Sequence, residues 1–280
     1  MLSRPERLGS AAVAVAATSW GAWGLVLDAA RLPGPQAACL ALFTIAVACA
    51  PLLPRRVPRG RLDWALLAAI GVCDAGNTLL YFEALRRGPI GVGVLAHYLA
   101  PILVALGSSL LLRARPSGTT LVALPVSLLG LVLLLGPDAL ALGAAGTTAA
   151  LGAGSAVFFA TNIVLSKALG KRLLPAEILV WHVIVSAVLL VPFAFAYPPP
   201  PLQGAALVVG GALLSGAAGG LLFLWGLARI PASRAGVLSY LEPVVGVALA
   251  AIVLGERMPP FGPVGVVLVV GAGVAVTARG

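Results

Sequence analysis

Residues 235–254 read AGVLSYLEPVVGVALAAIVL, twenty residues whose one formal charge is Glu242. As a helix rising about 1.5 Å per residue, the run measures ~30 Å, the thickness of a bilayer's hydrocarbon core. A carboxylate followed by a helix-breaking proline in the middle of such a run is costly, which makes both residues informative. Similar apolar runs, punctuated by Gly, Pro and Arg, fill the rest of the chain. They predict ten spans: 10–29, 36–53, 63–86, 90–112, 118–136, 145–168, 175–197, 203–228, 232–254 and 260–277. The composition agrees, since 60% of the 280 residues are hydrophobic and only 10% are charged, well under the ~25% of soluble domains. Strands of a membrane barrel would alternate polar and apolar residues, and these runs do not. The expected fold class is an all-α polytopic membrane protein.

The basic residues set the expected orientation. With the amino terminus in the cytoplasm, the inner segments hold Arg4, Arg7, Arg55, Arg56, Arg59, Arg61, Arg113, Arg115, Lys167, Lys171, Arg172, Arg229, Arg234 and Arg279. The outer ones hold only Arg31, Arg86, Arg87 and Arg257. Ten spans return the carboxyl terminus to the cytoplasm. The excess of Arg therefore reflects topology and contact with anionic lipid, and nucleic acid is not an expected partner. The opening MLSRPERLGS leads into an uncleaved first span in this reading. Cys39, Cys49 and Cys73 lie inside apolar runs without metal or disulfide spacing.

An internal repeat runs through the chain. Shifted by 142 residues, YFEALRRGPIGVGVLAHYLAPILVALGSSLLLRAR (81–115) falls on FLWGLARIPASRAGVLSYLEPVVGVALAAIVLGER (223–257). Arg87, Pro89, Tyr98 and Pro101 meet Arg229, Pro231, Tyr240 and Pro243. The halves are expected at 1–137 and 138–280, five spans each. Five is odd, so the second copy enters the membrane inverted, an arrangement typical of secondary transporters whose site lies near the midplane.

LARIPASRAGVLSYLEPVVGVALAAIVLGERM (227–258), with its LEPV…LGE pattern at 241–256 and an aromatic SWGAWG in the first span, resembles the EamA-type drug/metabolite transporter superfamily. The first half departs from that pattern, with YLAPILVALGSSLLLRAR at the corresponding place. The resemblance implies ten spans as two inverted five-helix repeats. It also implies secondary active export of amino acids, metabolites or drugs across a bacterial inner membrane, with the threonine/homoserine-efflux branch nearest. A multidrug exporter of the same fold is the alternative. An intramembrane enzyme or a channel is less well served, because the chain has no Walker A, HExxH or GxSxG motif and no acidic metal cluster. No cofactor or metal is expected. The expected partners are a small-molecule substrate, protons and the lipid bilayer.

Few polar residues lie within the spans, so each is a candidate. Glu242, about ten residues into span nine, is a carboxyl able to gain and lose a proton as water access changes; the alternative is a hydrogen-bonded tie between helices. Pro243 frees the carbonyl of Ser239, and Pro101 in the other half frees that of His97, loosening two matching helices at one depth. Asp74 and Asn77 share a face of span three. Asp74 and His97 are expected to pair, as a second proton site, a substrate anchor or a contact between helices. Asn162 suits a substrate or a neighbouring helix. Tyr98, Tyr240, Trp20, Trp23 and Trp225 are candidate cavity aromatics, and His182 reads as a packing residue. Gly216 and Gly220 read as a helix-packing pair.

Overall fold

The computed structural model describes residues 2–52, 60–140 and 145–279; Arg55, Arg56 and Arg59 of the basic loop lie outside them. No strand occurs among the described residues. Ten helical spans are long and apolar enough to cross a membrane: α1 (Arg4–Ala30), α2 (Gly34–Leu52), α3 (Arg61–Arg87), α4 (Ile90–Leu111), α5 (Gly118–Leu135), α6 (Gly146–Leu169), α7 (Pro175–Phe195), α8 (Leu202–Leu227), α9 (Ala232–Leu254) and α10 (Gly262–Arg279). The protein is thus a multi-pass membrane protein.

Local chemistry sets the ends. Ser3 caps α1 and exchanges hydrogen bonds with Glu6 in a capping box. At the start of α7, Pro175 occupies the first turn and Glu177 accepts from the Leu174 N–H at 2.7 Å. Gly136 and Gly255 end α5 and α9 at φ 82° and 69°, where a side chain would be strained. Leu202, Ile252, Leu110 and Phe195 point outward, mostly exposed, as lipid-facing side chains do.

Four spans are irregular. Helical α1 segments end at Trp20 and resume at Trp23. In α4 the break falls at Tyr98–Leu99, between segments Ile90–His97 and Ala100–Leu111. In α9 it falls at Tyr240, between Ala232–Ser239 and Leu241–Leu249. The two prolines account for the last pair, each lying just past its break and lacking the N–H that would continue the helix. In addition, π-helical turns occur at Ala212–Ala218 in α8 and at Ala250–Leu254, the end of α9.

The two halves interleave. Helix α1 packs on α8 and α9, α2 on α7, α3 on α6 and α7, and the first segment of α9 on the second segment of α4. Glycines allow the closest approaches: a Cβ at Gly226 would stand 2.6 Å from the Gly9 carbonyl oxygen, so α8 and α1 meet backbone to backbone. Helices α5 and α10 pack on each other, and neither contributes to the cavity enclosed by the other eight.

Candidate functional site: a cavity between the two halves

The cavity has a volume of about 160 Å³, room for several waters or a small solute. Asp74, Asn77, Thr78, Tyr81 and Phe82 form its α3 wall. Their spacing explains this, since residues three, four and seven apart share one helix face. Trp20 and Trp23 come from α1, His97 from α4, Asn162 from α6, His182 from α7 and Glu242 from α9. Gly216 and Gly220 of α8 lie on the same lining, so this pair also borders open space. Among the described residues the lining contains two carboxyl groups and no Lys or Arg.

Glu242 stands in the first turn of the half-helix that begins at Leu241. The break at Tyr240 therefore gives the carboxyl a helix amino terminus, whose N–H groups suit an acid. The residue is 8% exposed. The hydroxyls of Tyr81 and Tyr98 turn toward it. That of Tyr98 is buried and closes no hydrogen bond of good geometry among the described residues.

The expected Asp74–His97 pair does not form. His97 meets α3 at Tyr81, stacked on it with ring centroids 4.1 Å apart, and its Nδ1 is 2.7 Å from the Ser155 hydroxyl. Tyr81 lies two helical turns beyond Asp74, about 10 Å along the axis. Asp74 instead faces α7. Ser186 donates to its Oδ2 at 2.8 Å, and His182 Nε2 is 3.8 Å from the same oxygen. The other imidazole nitrogen, Nδ1, donates to the Ile178 carbonyl at 2.6 Å. His182, expected to be a packing residue, is a wall of the cavity.

Tyr98 and Tyr240 are fully buried behind the lining, with their rings 5.5 Å apart. The Tyr240 hydroxyl donates to the Tyr98 carbonyl at 2.9 Å. Pro101 and Pro243 likewise shape the breaks without lining the cavity. Asn162 accepts from Ser166 at 3.2 Å. Trp20 donates its indole N–H to the Ser215 carbonyl inside the π turn, and the Ser215 hydroxyl donates to the Ser19 carbonyl; these bonds join the α1 break to the α8 irregularity. Trp225 lies away from the cavity, at the end of α8, where the Arg229 guanidinium sits 3.5 Å above its ring.

Thr78, Ser155 and Ser186 are not among the site candidates read from the sequence. For Thr78 a signal existed, because it lies, as Tyr81 does, on the face that Asp74 and Asn77 define. The serines carry none: a lone serine in an apolar helix usually bonds its own backbone.

Ten spans, eight of them lining a cavity, with matching helices broken at matching residues, define a membrane-transport fold. The EamA-like transporter family matches this chain twice, at residues 7–136 and 146–278, and the chain belongs to that family. It is 30% identical over 267 residues to the uncharacterized transporter YwfM of Bacillus subtilis, covering 91% of this chain and 89% of the relative. It is 29% identical over 232 residues to the threonine/homoserine exporter RhtA of Escherichia coli, covering 82% of this chain and 76% of the relative. An uncharacterized transporter of Archaeoglobus fulgidus is 27% identical over 91% of each chain. A solved crystal structure, 19% identical, superposes with a TM-score of 0.79 over 96% of this chain and 97% of that one, a likeness of fold.

Proposed function

We propose that this transporter exports amino acids or similar small metabolites across a bacterial cytoplasmic membrane by alternating access, in exchange for protons, with Glu242 as the coupling group. The observation that carries this reading is the place of Glu242: a carboxyl in the cavity wall, at the amino end of a half-helix, with no Lys or Arg on the lining to neutralise it. A carboxyl without a cationic partner holds or releases a proton according to the water that reaches it. Residues 1–137 and 138–280 form the two five-span repeats, inverted with respect to each other, with both termini in the cytoplasm. The kinship to a threonine/homoserine exporter supports amino acids as the substrate class. Asp74, Asn77 and Asn162 contact the solute, and the breaks at Pro101 and Pro243 let the lining helices rearrange.

Reconstituted protein in liposomes loaded with a pH-sensitive dye tests this. Threonine or homoserine flux should move protons in the opposite direction. Solute flux with no proton movement in the wild type would reject the coupling.

A further inference from the structure

Asp74, Asn77 and His182 line the same cavity, and each has acceptor capacity. Both contacts to Asp74 fall on Oδ2, and among the described residues no hydrogen bond occupies Oδ1. The Asp74 side chain is 19% exposed, more than Glu242, and it borders the cavity. Asn77, one turn further along α3, has a buried Oδ1 with no hydrogen-bond partner among the described residues. An unmet buried acceptor is costly, so it points to a donor that arrives with the solute. The third acceptor is His182. A carbonyl only accepts, so Nδ1 must carry the proton it gives to Ile178. In the uncharged tautomer with that proton, Nε2 presents a lone pair on the Asp74 side.

We propose that Asp74, Asn77 and His182 form the seat of a primary ammonium group, and that the solute is an amine-bearing molecule, zwitterionic or cationic, and not an organic anion. An ammonium has three N–H donors, which match the three acceptors. Side chains three apart on a helix stand about 5–6 Å from each other at Cβ, a separation that one nitrogen bridges at ordinary hydrogen-bond lengths. The rest of the lining agrees. Trp20 clusters with Phe159 and Phe223, at centroid distances of 6.2 and 4.9 Å, and aromatic faces attract a cation. A solute of net negative charge would meet two carboxyl groups and no Lys or Arg. This assignment rests on the reading of the cavity as the transport site. It separates two tasks along α3, with the ammonium at Asp74 and proton exchange two turns away, where Tyr81 faces Glu242.

Binding to the full-length purified protein tests the seat. The probes are L-threonine methyl ester and n-butylamine, which carry the ammonium, and N-acetyl-L-threonine and butyrate, which lack it. The first two should raise the melting temperature and the last two should not. Asp74→Asn keeps an acceptor for Ser186 but loses the charge. It should weaken amine binding by about ten- to a hundredfold, the loss of one charged hydrogen bond. Asn77→Leu, a second variant of similar size, should weaken it too. Equal binding of N-acetylthreonine and butyrate, no binding of either amine, or unchanged amine affinity in a folded Asp74→Asn or Asn77→Leu protein would overturn the proposal. Asp74-dependent amine binding in a protein that moves no amine across liposomes would keep the seat and reject the transport reading. Transport of solutes without an amine would do the reverse.

Discussion

Tyr240 donates its hydroxyl to the main-chain carbonyl of Tyr98, and the two residues stand 142 positions apart, the offset of the internal repeat. Equivalent residues of the two halves therefore meet each other. The carbonyl is available because the break in α4 diverts its regular partner: the Ile102 N–H bonds to Leu99 at 3.1 Å instead. Tyr240→Phe removes the donor and leaves that buried carbonyl unmet. The expected loss is about 1 kcal/mol, or a few degrees in melting temperature. Tyr98→Phe removes a hydroxyl that faces Glu242 without closing a hydrogen bond of good geometry among the described residues, and should cost less than Tyr240→Phe. Equal losses in the two variants would contradict the one-way bond.

Glu242→Gln should bind solute and exchange it across the membrane, because its neighbours Tyr81 and Tyr98 can also face an amide. It should not convert a proton gradient into net flux. Transport against pH should slope in the wild type and flatten in the variant, while counterflow persists in both. A variant with an unaltered pH profile would remove Glu242 from the coupling step.

The proline pair separates folding from turnover. Pro101→Ala and Pro243→Ala restore a backbone N–H in the first turn of each half-helix, where proline is tolerated and its removal costs little. Melting temperature and yield should hold or rise in each, while the transport rate falls as the half-helices join. Yield and activity falling together would mark the prolines as packing residues.

Gly226→Val should abolish the folded protein, since its Cβ would lie 2.6 Å from the Gly9 carbonyl oxygen, which has no room to retreat. Gly210→Ala in the same helix is the control. Nothing stands within 4 Å of its Cβ, and Gly to Ala in a helix is worth roughly 0.5–1 kcal/mol. Size-exclusion profiles of the two proteins in detergent should differ accordingly.

The span pattern was legible because a bilayer asks only for length and apolarity, and the run at 235–254 meets both. The breaks in α4 and α9 were legible through Pro101 and Pro243, and their kinship through Tyr98 and Tyr240. The partner of Asp74 was not. Two histidines compete for it, and the choice depends on how α3 packs against α4 and α7, which a linear sequence does not record. His97 is drawn to Tyr81 and Ser155, and Asp74 is left to His182. In the sequence Trp225 reads like the cavity tryptophans, an aromatic within an apolar span. Its own register carries it to Arg229.

The π turn of α8 bears on how this gene can change length. A turn of that kind holds one residue more than a regular helix needs. Deleting a single codon between 212 and 218 would let α8 close into an ordinary helix and turn everything after it by about 100° around the axis. Gly226 would leave Gly9, and Ser215 would lose Trp20. The extra residue has become fixed in the reading frame: surrounding contacts now count on it, so insertions and deletions should be tolerated in the turns between spans and purged here.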